Sequence, residues 1–177
     1  MPNTSRFLEA LHFAAFKHRD QRRKGAEAAP YINHPIAVAR VLASEGGVTD
    51  RDVLMAALLH DTIEDTDTTA EDLRTRFGDR VAALVQEMSD DTSLRQAERK
   101  RLQIAHAEAK SPDARLIMLA DKICTIRDVA AHPPLGWSLG RRREYFDWAK
   151  AVVDRLRGTN AALEAAFDEA YAKRPAD

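Results

Sequence analysis

The residues with the clearest chemical meaning lie at positions 60–65, where a His-Asp pair is followed within about one helical turn by two more carboxylates. His60 and Asp61 end an apolar run, and Glu64 and Asp65 follow after two intervening residues. Burying ionisable groups beside aliphatic side chains costs free energy unless something compensates, and a divalent metal ion is the usual compensator. The His-Asp pair alone is about equally typical of a helix end with a capping His and a solvated acidic loop.

Two residues elsewhere in the chain strengthen the metal interpretation. His34 precedes a proline that suits the first turn of a helix, so it lies at a helix start. Asp121 is embedded in the strongly apolar helical run 114–131, where an aspartate is paired, capping or bound to metal. Lys122 and Arg127 are the alternative partners for its charge.

The pattern around these residues is helical throughout. Apolar residues recur at helical spacing along the chain, and alternating runs of β-branched residues are missing. Residues 49–52 have the Thr-x-x-acid pattern of a capping box, so we expect Thr49 to cap the helix that delivers His60 and Asp61. The sequence predicts one all-α domain over residues 1–177, with a core at about 5–172 and roughly eight to ten helices.

Composition narrows the class of protein. The chain of 177 residues is 45% hydrophobic and 31% charged, with a net charge of -1 that favours neither nucleic acid nor membrane as a partner. Its one cysteine, Cys124, excludes an internal disulfide and is expected to be a buried thiol. Because there is no signal core and no apolar run of the ~18 residues that a membrane span needs, we expect a soluble, cytoplasmic protein. The sequence carries no indication of an oligomeric state.

The most basic stretch of the chain, residues 17–24, lies upstream of the proposed metal residues. A run of charge is often only a solvated helix face. A dense basic segment near a metal site is also what a polyphosphate ligand requires.

The residues His34, His60, Asp61 and Asp121 together supply two imidazoles and two carboxylates, which suit Mn²⁺, Fe²⁺ or Co²⁺ and leave open positions on a six-coordinate ion. Their order along the chain resembles that of the HD-domain metal-dependent phosphohydrolases. More narrowly, the chain is similar to the hydrolase domain of the RelA/SpoT alarmone enzymes and to the small alarmone hydrolases that include the metazoan SpoT homologue. The matching stretches are KHRDQRRK (17–24), PYINHP (30–35), AALLHDTIEDT (56–66), FG (77–78), ERKRLQ (98–103), LADK (119–122), EYFDWA (144–149) and GTN (158–160).

The resemblance implies Mn²⁺-dependent removal of pyrophosphate from the 3′ position of ppGpp or pppGpp, with one ion per chain. The metal ligands would be His34, His60, Asp61 and Asp121. A bound divalent ion lowers the pKa of a water molecule and polarises a phosphoryl oxygen. Glu64 and Asp65 are then expected to orient that water or to carry its proton, unless they form only a solvated acidic loop.

Substrate contacts follow from the same resemblance. Arg23 and Lys24 match family positions that hold the substrate near its phosphates and base. Arg141 and Tyr145 are expected to contact the diphosphate from the opposite wall.

Two positions depart from the family pattern. The family has an asparagine one helical turn after the metal aspartate, whereas this chain has Thr125, which keeps a hydroxyl and loses the amide. Gln96 stands where close relatives tend to have a basic residue, and Arg95 beside it is a possible substitute. The first departure bears on substrate identity and rate more than on metal binding.

Three functions therefore stay open at this point. The first is alarmone hydrolysis without alarmone synthesis, since 177 residues leave no room for a synthetase domain after the hydrolase. The second is a phosphatase for another ribose-phosphate nucleotide, such as the 2′-phosphate of NADPH, and Thr125 makes it more credible. The third is a metal-containing nucleotide-binding module with weak turnover, for which Glu64 and Asp65 would be unnecessary.

Overall fold

The computed structural model describes residues 3–25 and 27–176. In this part of the chain the secondary structure is helical apart from one isolated bridge between Arg22 and Pro30. The α-helices are α1 (Asn3–Lys17), α2 (Asn33–Ser44), α3 (Arg51–Leu59), α4 (Thr62–Asp65), α5 (Ala70–Phe77), α6 (Asp79–Met88), α7 (Gln96–His106), α8 (Pro112–Ala131), α9 (Leu139–Asp154) and α10 (Ala161–Tyr171). A short 3-10 helix, Ala107–Ala109, continues α7. The predicted all-α class is confirmed, and none of the described helices is long and apolar enough to span a membrane.

Helix α3 lies at the centre of the packing and contacts α1, α2, α6 and α8. Its buried residues are Val53, Met55, Ala56, Ala57, Leu58 and Leu59. A helix that is apolar on nearly every side must be surrounded by other elements, because it has no polar face to offer to water. Helix α3 therefore ends inside the protein, and His60 follows its last residue.

Helix α8 is the second buried helix and packs against α2, α3, α6, α9 and α10. Ser111 caps its start by accepting a hydrogen bond from the Ala114 backbone, and Pro112 occupies the first turn. Cys124 is buried on this helix, as the sequence predicts, and burial raises the pKa of its thiol to about 12. A thiol of that kind stays protonated at neutral pH and is a packing residue.

The start of α3 differs by one residue from the sequence prediction. The side chain of Asp50, and not that of Thr49, accepts hydrogen bonds from the backbone N–H groups of Asp52 at 3.0 Å and Val53 at 3.4 Å. The prediction of a Thr49 cap is therefore wrong, although the helix begins where its pattern indicates. A carboxylate at this position also interacts favourably with the positive end of the helix dipole.

Arg80 on α6 links the starts of α3, which leads to His60, and α8, which carries Asp121. Its Nη2 donates to Asp50 Oδ2 at 2.8 Å and to Asp113 Oδ2, in the first turn of α8, at 2.7 Å. The N-terminal ends of α3 and α8 are thus linked to each other at the surface.

We predict that Asp50→Ala lowers the free energy of unfolding by about 1 kcal/mol, because it removes the helix cap and the contact with Arg80. Asp50→Asn keeps a capping oxygen and loses only an exposed ion pair, so its loss should be smaller. Hydrogen bonding to Arg80 holds the pKa of Asp50 below its ordinary value, so the ion pair stabilises the fold at neutral pH and is lost as pH falls through that lowered pKa. Urea unfolding at pH 7 and pH 3 measures both variants, and equal losses at pH 7 would contradict the capping role.

Candidate active site

Four ionisable side chains converge where α2, α3 and α8 meet. His34 lies in the first turn of α2, His60 follows α3, Asp61 precedes the short helix α4, and Asp121 lies in the middle of α8. Each stands at a helix end or on a buried helix, so the positions of the four depend on how the core packs. Both histidines are almost fully buried, with 5% of His34 and 4% of His60 exposed.

The distances within this cluster are those of mutually paired groups. His34 Nε2 lies 3.0 Å from Asp121 Oδ1, and His60 Nε2 lies 3.0 Å from Asp61 Oδ2. The crossed pairs are longer, at 4.0 Å from His34 Nε2 to Asp61 Oδ2 and 3.9 Å from His60 Nε2 to Asp121 Oδ1. The two imidazoles and two carboxylates therefore surround one common point.

The arrangement fits a divalent cation. Ligand atoms of His34, His60 and Asp121 all lie within 4.8 Å of one another, so these residues could hold a metal ion. His60 Nδ1 lies 2.8 Å from the Ala57 carbonyl oxygen, so the backbone satisfies a hydrogen on Nδ1 and Nε2 is the ring atom that could bind a cation. Asp61 stands outside that set of three, but its Oδ2 lies beside both histidines, and its predicted role as a ligand stays a prediction.

Electrostatics keeps the carboxylates ionised despite their burial. Burial alone lowers the pKa of His60, yet the charges of Asp61 and Asp121 outweigh it and raise that pKa to about 9. Burial likewise raises the pKa of Asp121, but the Lys122 ammonium and the two histidines hold it well below its ordinary value. The pKa of Asp61 is also lowered, chiefly by His60 acting against burial. Ionised carboxylates are the form in which these side chains bind a cation.

Tyr31 supports the cluster from outside. Its hydroxyl donates to Asp61 Oδ2 at 2.5 Å, and its ring packs 5.9 Å from that of His34 and 5.0 Å from that of His18. Burial raises the pKa of Tyr31, and the nearby carboxylates raise it further, so the phenol remains a donor. Around metal sites, a hydrogen bond from an outer residue commonly fixes the orientation of a ligating carboxylate.

The two proposed catalytic carboxylates lie on α4 in different surroundings. Glu64 accepts from Arg99 Nη1 at 2.6 Å and from the Asp90 backbone N–H at 3.1 Å. Burial, aided by neighbouring carboxylates, raises the pKa of Glu64. Asp65 is exposed, and its Oδ2 accepts from Gln21 Nε2 at 2.8 Å. Both therefore follow Asp61 on one short helix, and their catalytic roles stay predictions.

Asp121 divides its two oxygens between neighbours. Lys122 Nζ donates to Asp121 Oδ2 at 2.9 Å, while Oδ1 faces His34, so Lys122 pairs with Asp121 without displacing it from the cluster. Arg127, the other candidate partner, pairs instead with Glu45, the residue that follows α2. Thr125 donates to the Asp121 carbonyl oxygen at 2.8 Å and lies 3.3 Å from Oδ1, so its hydroxyl is turned back onto its own helix.

A wall of cations and aromatic rings adjoins the cluster. We call it the basic-aromatic wall, and its members are Lys100, Lys122, Trp137, Arg141, Tyr145 and Trp148. Lys122 belongs to both groups, because its ammonium lies over the Trp148 ring at 4.5 Å while it bonds Asp121. The wall therefore begins at the His-Asp cluster and extends along α9 and α7.

Lys100 is the residue of this wall that sequence reasoning missed. Its Nζ lies 4.6 Å from the ring centroid of Tyr145 and 4.7 Å from that of Trp148, and no ion pair joins it to a carboxylate among the described residues. Burial, and then the charges of Arg141 and Lys122, lower the pKa of Lys100. The charge of Glu144 acts weakly in the opposite direction. An ammonium that lies between rings without an ion-paired carboxylate is suited to an anionic ligand. Helical spacing on α7 gives no signal for it, because the rings belong to α9.

The other predicted substrate residues lie around the same region. Arg23 donates to Asp128 on α8 at 2.5 Å and lies over the Tyr31 ring at 5.6 Å. Its charge also lowers the pKa of Tyr145, which burial raises overall. Lys24 is exposed, and its carbonyl oxygen accepts from the Leu135 backbone at 3.2 Å. Arg141 is exposed over the Trp137 ring at 4.7 Å.

Comparison with known proteins shows that the chain is similar to HD-domain hydrolases. A family model described as HD domain matches residues 10–143. The chain is 53% identical over 171 residues to the guanosine-3′,5′-bis(diphosphate) 3′-pyrophosphohydrolase MESH1 of Drosophila melanogaster, covering 97% of this chain and 96% of that protein. The human protein of the same name is 53% identical over 170 residues, covering 96% of this chain and 95% of its own length.

Solved structures agree in fold. One, described as a metazoan orthologue of SpoT that hydrolyses ppGpp and plays a role in starvation responses, superposes with a TM-score of 0.93 at 53% identity, covering 96% of this chain and 95% of the other. A protein from Listeria monocytogenes EGD-e superposes with a TM-score of 0.63 at 32% identity, covering 79% of this chain and 94% of the other.

We predict that Tyr31→Phe weakens binding of a divalent cation about tenfold or more, because Asp61 loses the hydroxyl that orients it. Isothermal titration with Mn²⁺ measures the change, and thermal unfolding checks that the fold is retained. Tyr171→Phe is the matched control, since it removes a hydroxyl that bonds Asp147 at the surface. Unchanged affinity in Tyr31→Phe would contradict the supporting role.

Proposed function

Because the chain belongs to the HD-domain family, we propose that it is a Mn²⁺-dependent pyrophosphohydrolase that removes the 3′-pyrophosphate of ppGpp or pppGpp. Water adds to the phosphorus attached to ribose O3′, the bond from that phosphorus to O3′ breaks, and O3′ takes a proton. The products are GDP or GTP with pyrophosphate. The observation that carries the proposal is the buried His-Asp cluster beside a wall of cations and rings, in a chain 53% identical over nearly its full length to hydrolases of this name.

His34, His60, Asp61 and Asp121 would hold one ion per chain. Their hard oxygen and borderline nitrogen donors suit Mn²⁺, as the resemblance to the alarmone hydrolases implies. When bound, the ion supplies Lewis-acid polarisation of phosphate oxygens and makes water more acidic. The remaining chemistry belongs to the side chains of this protein.

Glu64 and Asp65 would handle the proton of the attacking water. Burial raises the pKa of Glu64 toward neutral pH. A group that transfers protons in catalysis works best when its pKa lies near the working pH. Arg99 holds one of its oxygens at 2.6 Å. Asp65, exposed and one turn beyond Asp61, is free to meet water from the solvent side.

The basic-aromatic wall would bind the nucleotide. Lys100 and Arg141 present positive charge beside the rings of Tyr145 and Trp137, which suits phosphates next to a flat base. Arg23, which lies over Tyr31 and whose charge acts on Tyr145, would add a further cation beside the wall. Lys24 would add a second, more exposed charge there. The phosphates and the base would thus be held beside the proposed metal ligands by the segment before α2, by α7 and by α9.

The second candidate function is removal of the 2′-phosphate of NADPH. The observation that favours it is the hydroxyl of Thr125, which donates to its own helix at 2.8 Å and offers no amide to a guanine nucleotide. A nucleotide-binding module with weak turnover is the third candidate. The Glu64–Arg99 pair beside the cluster argues against it, because binding alone needs no positioned carboxylate.

We expect the Mn²⁺-loaded protein to convert ppGpp to GDP and pyrophosphate, with products resolved by ion-exchange chromatography. His60→Ala should lower turnover roughly 10³-fold together with bound metal, because Lewis-acid catalysis supplies several kcal/mol. His106→Ala, at the end of α7 and exposed, is the matched control.

Release of phosphate from NADPH with ppGpp intact would instead support the second candidate. Absence of both reactions with metal bound would favour the binding module.

We predict that Lys100→Met raises KM for ppGpp about tenfold and changes kcat less than about threefold, because it removes charge that holds phosphate and leaves the reacting groups in place. Initial rates over a range of ppGpp concentrations give both constants. Lys150→Met is the control, because Lys150 is on α9, as Tyr145 is, lies over the Tyr171 ring of α10 and pairs with Asp154 at the surface. An unchanged KM in Lys100→Met would contradict phosphate binding by the wall.

A further inference from the structure

His18 and Gln21, in the segment between α1 and α2, form a hydrogen-bonded connection to Asp65. His18 is 1% exposed, and its Nδ1 lies 2.6 Å from Gln21 Oε1. Gln21 Nε2 in turn donates to Asp65 Oδ2 at 2.8 Å. The connection therefore runs from a buried ring to a carboxylate that is exposed on α4.

The donors and acceptors in the hydrogen-bonded connection from His18 through Gln21 to Asp65 can be assigned in only one way. An ionised carboxylate accepts and does not donate, so the Gln21 amide must turn its NH₂ toward Asp65 and its oxygen toward His18. The oxygen then requires a donor, so the hydrogen of His18 lies on Nδ1. His18 Nε2 is buried and has no hydrogen-bond partner in the part of the chain that the structure describes, which agrees with a hydrogen on the other nitrogen.

The backbone holds Gln21 in place for this role. Its N–H donates to the His18 carbonyl oxygen, and its own carbonyl oxygen accepts from Tyr31, each at 3.0 Å. Tyr31 also packs on the His18 ring at 5.0 Å and bonds Asp61 at 2.5 Å. The same small segment thus contacts Asp61 through a phenol and Asp65 through an amide.

An exposed carboxylate with no partner samples several rotamers. The Gln21 amide selects one of them for Asp65, whose backbone N–H already bonds the Asp61 carbonyl oxygen at 2.9 Å. We propose that His18 and Gln21 are positioning residues that hold the Asp65 carboxylate in the orientation its proton-transfer role requires. This inference rests on the proposed function, in which Asp65 receives or returns a proton of the attacking water.

The test is Gln21→Met, which removes both polar atoms and keeps the length of a half-buried side chain. We expect kcat for ppGpp hydrolysis to fall about tenfold, with KM and Mn²⁺ affinity within twofold, because binding groups are untouched. In an Asp65→Asn background, measured in single turnover, Gln21→Met should cost less than about twofold more, since the carboxylate that accepts the proton is already gone and its orientation no longer matters. Equal losses in both backgrounds, or no loss in the unsubstituted protein, would overturn the inference. Gln86→Met, exposed on α6, is the control.

A pair of variants at His18 separates positioning from packing. His18→Asn places an amide nitrogen where Nδ1 lies and keeps the donor to Gln21, whereas His18→Leu fills the space without a donor. We expect His18→Asn to restore most of the kcat that His18→Leu loses. The same loss in both variants, accompanied by the same fall in Tm, would make His18 a packing residue and overturn its part in the inference.

A measurement independent of turnover keeps this inference apart from the proposed reaction. NMR three-bond couplings to Asp65 Cγ report its χ1 rotamer. A single rotamer in the unsubstituted protein that becomes averaged in Gln21→Met supports positioning, and averaging in both proteins overturns it. If ppGpp is not hydrolysed at all, the proposed function fails, while these couplings still decide whether Gln21 orients Asp65.

Discussion

Two carboxylates and two imidazoles occupy the point where three helices of an aliphatic core meet, and this arrangement constrains much of the structure around it. Charges in such a place are tolerated only when each has a partner of opposite sign or a hydrogen bond. The 3.0 Å pairs His34–Asp121 and His60–Asp61 meet that condition, with Lys122 adding a further positive charge. Because the partners come from α2, α3 and α8, the core and the site depend on each other.

The sequence predicted the fold class and the identity of the converging residues well, since both are visible locally. Apolar spacing indicates helices, and a His-Asp pair at the end of an apolar run indicates a site. The error at Thr49 is also local: two adjacent residues could both cap α3, and the backbone geometry of Asp50 was needed to choose. The cytoplasmic location, the roles of individual site residues and the choice of Mn²⁺ stay predictions.

What the sequence could not provide is the pairing of groups distant along the chain. Lys100 became a candidate only when α7 and α9 were seen to place it between Tyr145 and Trp148. Gln21 and Asp65 lie 44 positions apart, and no spacing rule connects them. Glu64 was predicted to act on the water, but its pairing with Arg99, 35 positions away, was not visible in the sequence. Such contacts depend on helix packing, which short patterns do not encode.

Several of the contacts that form the site come from the single helix α8. Asp121 serves the cluster, Lys122 joins the cluster to the wall, Arg127 pairs with α2, and Asp128 holds Arg23. Inserting or deleting one residue between 121 and 128 would rotate everything beyond it by about 100°, so several partnerships would be lost together. Length variation among proteins of this architecture should therefore be absent from this helix and accumulate in the turn at 132–138 that follows it.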